Sequence, residues 1–178
     1  MKLYLIGSLR NPAVPIVAND LRSQGYEVFD DWYAVGPKAD DHWLEYEKSR
    51  GRTYAEALKG HAAQNTFHFD KKHIDASDVG VLVYPAGKSA HLELGYMIGQ
   101  GKKGFILVEE NPERWDVMTQ FATGVAHSIK ELFEMLKSHA TPKFSYGTDN
   151  GPGSCAVTYD PVAHGHGQGH VVGGEHVY

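Results

Sequence analysis

One glutamate stands where a carboxylate could do covalent chemistry. Glu93 lies in the stretch Ser89-Ala90-His91-Leu92-Glu93-Leu94-Gly95-Tyr96-Met97-Ile98-Gly99-Gln100-Gly101-Lys102. Ahead of it, Val79-Gly80-Val81-Leu82-Val83-Tyr84 is a short apolar run of strand length, and Pro85-Ala86-Gly87-Lys88 breaks the pattern. With Ser89 as N-cap, Glu93 falls about one turn into a helix, where free N–H groups and the dipole favour an ionised carboxylate. Leu92, Tyr96 and Gly99 share one face, and Leu94 and Ile98 widen the apolar stripe beside Glu93. A glutamate that merely complements a helix dipole is the competing reading.

Three further groups of residues bear on the choice. Gly7-Ser8-Leu9-Arg10, between an apolar run and Asn11-Pro12, offers free N–H groups, a hydroxyl and a guanidinium to an anion. It is neither a P-loop nor a dinucleotide fingerprint, and a tight turn with a surface arginine competes. Trp32, Tyr33, Trp43 and Tyr46 crowd the segment from Asp31 to Arg52, which is long for a connection and too aromatic for a linker. It reads as a flap whose rings could stack on a planar base, or else as a satellite apolar cluster. Asp70 lies in a helical stretch, Thr53 to about Ala76, that also carries His61, Phe67, His68, Phe69, His73 and Asp75. Phe67, Phe69 and Ile74 read as core. No spacing matches a zinc site, and neither metal nor cofactor is expected.

The elements that must position these residues alternate. Strands are predicted at Leu3–Ile6, Tyr26–Asp30, Val79–Tyr84, Gly104–Val108 and Val125–Ala126. Helices are predicted from Asn11-Pro12 to about Gly25, from Thr53 to about Ala76, over the Glu93 stretch, briefly at Trp115–Phe121, and from Ser128 to His139. That alternation means a doubly wound parallel sheet of five strands, flavodoxin-like, with ligands at the carboxyl ends of the strands. Asp70 would reach the region of Glu93 only if its helix is bent or interrupted there. A domain over 1–140 precedes a Gly- and His-rich tail, 141–178, in which His164, His166 and His170 read as part of a loosely docked segment.

At 178 residues, 42% hydrophobic and 22% charged, the chain suits one globular domain. A net charge of −5 argues against a surface that coats nucleic-acid polymers. A single cysteine, Cys155, excludes an internal disulfide. The first apolar run is too short for a signal peptide or a membrane span, so a cytoplasmic protein without membrane partners is expected.

Leu3-Tyr4-Leu5-Ile6-Gly7-Ser8-Leu9-Arg10, Asp70, Asp78 and Glu93-Leu94-Gly95-Tyr96 together resemble the nucleoside 2-deoxyribosyltransferase superfamily. That group includes the 2'-deoxynucleoside 5'-phosphate N-hydrolases, and the resemblance spans roughly residues 1 to 139. It implies that Glu93 is the nucleophile, that Asp70, eight positions before Asp78, contacts sugar or base, and that Tyr4 lies under the nucleoside. It implies a 5'-phosphate at Gly7, Ser8 and Arg10. Where the family has an Asp (transferases) or a Ser (hydrolases) six positions before the nucleophile, this chain has Gly87. A phosphate role could have shifted to Lys88 and Ser89, and a base-binding role like that of the transferase Asp has no candidate. Val177-Tyr178 is similar to the transferase C-terminus. The resemblance also implies sites completed by a neighbouring subunit, hence a homodimer or higher homo-oligomer.

Cleaving an N-glycosidic bond builds oxocarbenium character at C1', which an adjacent carboxylate can stabilise or trap. Asp70 or His91 would protonate the leaving base, and Trp32 would contribute a stacking ring. The expected activity is cleavage at a (2'-deoxy)nucleoside or its 5'-monophosphate through a glycosyl-Glu93 intermediate. A transferase using bare nucleosides is the alternative, and a nucleotide-sensing module without turnover is the rival from another class.

Overall fold

Alternate residues of the first strand, β1 (Lys2–Ile6), enter two separate cores. Leu3 and Leu5 pack on one face of the sheet, and Tyr4 and Ile6 on the other, as the two-residue period of a strand requires. The computed structural model describes residues 1–112 and 115–140. The proposed tail boundary, the histidines beyond it and Val177-Tyr178 lie outside the described residues.

In chain order, β1 leads to α1 (Ala13–Ser23), β2 (Glu27–Phe29), a 3-10 turn (Asp31–Val35), α2 (Ala39–Ser49), α3 (Tyr54–Ala57) and α4 (His61–Asp75). Then come β3 (Val79–Val83), α5 (Lys88–Gly99), β4 (Lys103–Leu107), a 3-10 turn (Val117–Phe121), β5 (Gly124–Ala126) and α6 (Ile129–Ala140). All five strands are parallel in the order β2-β1-β3-β4-β5. This is the doubly wound, flavodoxin-like α/β fold expected from the alternation. Helices α1 and α6 cover the face of Leu3 and Leu5, while α4 and α5 cover that of Tyr4 and Ile6. From β1 the chain moves outward to β2, and from β3 it moves the other way to β4. The crevice between the ends of β1 and β3 is therefore a topological switch point.

Two glycines set how closely α5 approaches the sheet. Gly80 and Gly104 are register partners on β3 and β4. A Cβ on Gly80 would come within 2.8 Å of Met97 Sδ, and one on Gly104 within 2.8 Å of Leu94 Cδ1 and 2.9 Å of Ile98 Cγ1. The buried side of α5 is accordingly Ala90, Leu94 and Met97. Leu92, expected on the apolar face, is 75% exposed.

Several boundaries differ from expectation for identifiable reasons. Helix α5 starts at Lys88 with extended Gly87 as N-cap, and Ser89 lies inside it without capping. Helix α1 starts at Ala13, its N–H bonded to Asn11 Oδ1 at 3.0 Å. The buried Asn11 also donates to the carbonyls of Val83 and Pro85, at 3.3 and 3.2 Å, tying α1 to the end of β3. The helix expected from Thr53 onward is two helices. A Thr53/Glu56 capping box opens α3, and Gly60 restarts the chain as α4. A Cβ on Gly60 would meet the Ala57 carbonyl at 3.0 Å and Arg52 Nη1 at 2.9 Å, so a side chain there would crowd the turn.

Candidate active site

Glu93 and Asp70 share a cavity of about 250 Å³ between α5 and α4, lined also by Phe67, Lys71, Ile74, Leu92 and Tyr96. Glu93 is the sixth residue of α5, not a first-turn residue, so the helix terminus does not hold it ionised. Burial, reinforced by the charge of Asp70, pushes its pKa up to about 7. Burial also raises Asp70 to about 6. Both shifts follow from moving carboxylates into a largely apolar cleft, with a neighbouring like charge adding to that of Glu93. Tyr4 lies 1% exposed beneath the pair, stacked on Phe29 at 5.5 Å. Its phenol is raised well above its ordinary value by burial and then by the charges of Glu93 and Asp70.

No bend brings Asp70 to Glu93. Helix α4 runs unbroken from His61 to Asp75, and Asp70 reaches the cavity because α4 lies alongside α5. The bent-helix expectation assumed that α4 would stand directly over its own following strand. Phe67 and Phe69 are 58% and 47% exposed rather than core. Ile74 is α4's fully buried residue. Phe69 and His73 instead flank Phe29, with the His73 and Phe29 rings stacked at 3.8 Å.

The turn after β1 is organised by its own side chains. Ser8 Oγ accepts the Arg10 N–H at 3.2 Å, and Gly7 is packed so closely that a Cβ would come within 2.7 Å of Val14. Arg10 Nη2 bonds both carboxylate oxygens of Asp41, in α2, at 2.9 and 3.0 Å. Beside it, the turn into α5 presents Gly87, Lys88 and Ser89 to solvent. His91, also exposed, donates its Nδ1–H to the Gly87 carbonyl at 2.8 Å.

The aromatic segment is folded rather than a loop. Trp32 packs against both cores and donates its indole N–H to the Leu5 carbonyl at 2.8 Å. Trp43 meets Tyr54 edge-on at 6.5 Å. Glu47 is buried and paired with Arg52 at 3.2 Å, which anchors α2 to the chain entering α3. Trp32 thus borders the mouth as a fixed wall, while Tyr46 faces solvent.

Of the residues singled out from sequence, Asp70 and Glu93 line the cavity and Tyr4 underlies it. Gly7, Ser8, Arg10, Trp32, Gly87, Lys88, Ser89 and His91 do not line it. Gly7, Ser8, Arg10, Trp32 and Gly87 lie on segments that follow β1, β2 and β3, whereas Lys88, Ser89 and His91 are within α5. Sequence reading missed Phe67, Lys71, Ile74, Leu92 and Tyr96 as lining residues. Their signal is helical spacing: Phe67, Asp70, Lys71 and Ile74 repeat at three and four, and Glu93 precedes Tyr96 by three.

No family model matches the chain, and no curated protein sequence does. Solved structures do. A 2-deoxyribosyltransferase from Bacillus psychrosaccharolyticus superposes with a TM-score of 0.50 at 18% identity, over 74% of this chain and 90% of that one. The Clostridium botulinum CMP N-glycosidase BcmB gives a TM-score of 0.43 at 14% identity, over 77% of this chain and 99% of that one. At such identities the first likeness establishes the fold.

Proposed function

We propose that the chain cleaves the N-glycosidic bond of a nucleoside or nucleoside 5'-monophosphate. One observation carries the reading: two carboxylates, Asp70 and Glu93, face one apolar cavity with proton affinities raised to about 6 and about 7. Between those values the pair holds a single proton, mostly on Glu93. The productive form is the minor one in which that proton has passed to Asp70, leaving Glu93 as nucleophile and Asp70 as acid. The Glu93 carboxylate attacks C1', and the C1'–N bond breaks with its electrons passing to the base. Asp70 gives the base its proton. Water then attacks C1', losing a proton to Asp70, and frees Glu93. The architectural likeness to a 2-deoxyribosyltransferase supports the reading as an analogy of fold, and the motif resemblance around Glu93 supports membership of that superfamily.

A second reading has its own support. Arg10 already has an anionic partner in Asp41, which suits a bare nucleoside and transfer to another base. Incubation with a panel of nucleosides and monophosphates, with and without an added acceptor base, separates the cases. Free base indicates hydrolysis, and a new nucleoside indicates exchange. Binding without either outcome indicates a sensing module.

A further inference from the structure

The two helices that carry the carboxylates are joined by a polar network just beyond the cavity. Tyr96 donates its hydroxyl to Asp75 Oδ1 at 3.0 Å, and Gln100 Nε2 donates to the same oxygen at 3.1 Å and to Tyr96 Oη at 2.9 Å. Lys71 Nζ donates to Asp75 Oδ2 at 2.5 Å and stands 5.2 Å from the centre of the Tyr96 ring. Lys102 closes the end of α4, donating to the carbonyls of Ile74 and Asp75 at 2.9 and 2.7 Å. These bonds hold the Asp75 carboxyl down at about 2, with Lys71 the largest cause and Gln100 next.

Position gives the network its meaning. Tyr96 and Gln100 follow Glu93 by three and seven residues on one face of α5, and Lys71 and Asp75 follow Asp70 on α4. Helix α4 buries only Ile74 completely, so apolar packing defines its place weakly. On the β2 side it is held by the stack of Phe69 and His73 on Phe29; on the α5 side stands this network. Exposed bonds of this kind contribute little to global stability, but together they fix a distance between helices.

We propose that Asp75, Tyr96 and Gln100 are positioning residues whose clamp between α4 and α5 sets the spacing of Asp70 and Glu93. The proposal rests on Asp70 and Glu93 being the working pair, yet its first readout needs no turnover. The full chain, labelled with 13C at glutamate carboxyls, is titrated by NMR, with the Glu93 signal assigned by its loss in Glu93→Gln. The groups facing Glu93 are Asp70 and Lys71 from α4, Tyr4 from β1 and Tyr96 from its own helix. Asp75→Ala frees α4 to draw away, weakening the Asp70 charge and admitting water, so the Glu93 midpoint should fall by roughly half a pH unit or more. Asp75→Asn removes the same charge but keeps the acceptor for Tyr96 and Gln100, and should restore most of the midpoint. Tyr96→Phe, neutral and conservative, should give an intermediate fall and decides the matter if Asp75→Ala does not fold. With a substrate in hand, kcat should drop while KM changes little. An unchanged midpoint in Tyr96→Phe, or equal shifts in Asp75→Ala and Asp75→Asn, overturns the clamp. A shifted midpoint in a protein that never releases base would leave the clamp standing and remove the proposed function.

Discussion

Asp70 and Glu93 approach one cavity from adjacent helices, and the charge on Asp70 adds to burial in keeping a proton on Glu93 up to about pH 7. The form with one proton shared by the pair is the one that offers both a nucleophile and an acid. Plotted against pH, kcat/KM should rise through about 6 and decline above about 7. Asp70→Asn should abolish the alkaline limb and leave a single acid limb set by Glu93 below about 7, since the like charge is gone while burial remains. A flat profile across this range would remove the shared-proton model.

Glu93→Gln deletes a charge and little volume. Turnover should disappear while ligand binding persists, and a 2-fluoro-sugar substrate should label Glu93 in the unaltered chain. Stability should respond as well. A carboxyl whose folded pKa is raised binds its proton more tightly in the folded state, so stability is lost as pH rises from the unfolded value of about 4.5 to about 7. The Gln variant escapes this loss. By urea unfolding it should be more stable than the parent by roughly 1–3 kcal/mol at about pH 8, with the difference vanishing at about pH 4.

Arg10 is engaged by Asp41 across an exposed ion pair, and a dianionic phosphate would compete for the same guanidinium. If the turn after β1 holds a 5'-phosphate, Arg10→Ala should reduce kcat/KM for a monophosphate by roughly one to two orders of magnitude and spare the matching nucleoside. Equal losses for both substrates would return the chain to the bare-nucleoside reading.

Phe67 and Leu92 are lining residues that remain 58% and 75% exposed. Apolar side chains left open beside a polar pair suit an oligomer. Met97, on the same helix as Leu92, is fully buried and contributes no such surface. Light scattering at micromolar concentration should give a dimer or a larger assembly. Leu92→Asp should shift the mass toward the monomer.

The sheet was legible because β3 and the interior of β1 are continuous apolar runs, buried on both faces. Helix starts were less so. Ser89 carries a good capping side chain, yet Gly87 takes the cap through its extended backbone, leaving Glu93 deeper in the helix than its spacing from Ser89 implied. The approach of Asp70 was obscure for another reason: a single sequence does not say which helices lie side by side. Phe67 and Phe69 show the limit of equating apolar with buried on a helix that offers the core one residue, Ile74. The pairing of Arg10 with Asp41, 31 positions apart, left no local signal at all.

The paired glycines under α5 make the cavity adjustable from behind. Gly80 and Gly104 leave Leu94, Met97 and Ile98 resting almost on the backbone, so the seat of the glutamate-bearing helix depends on two absent methyl groups. Adding one would press on the underside of that helix while every residue around the substrate kept its identity. A change in the spacing of Asp70 and Glu93 can therefore arise in the floor of the protein, where a screen confined to lining positions would never look.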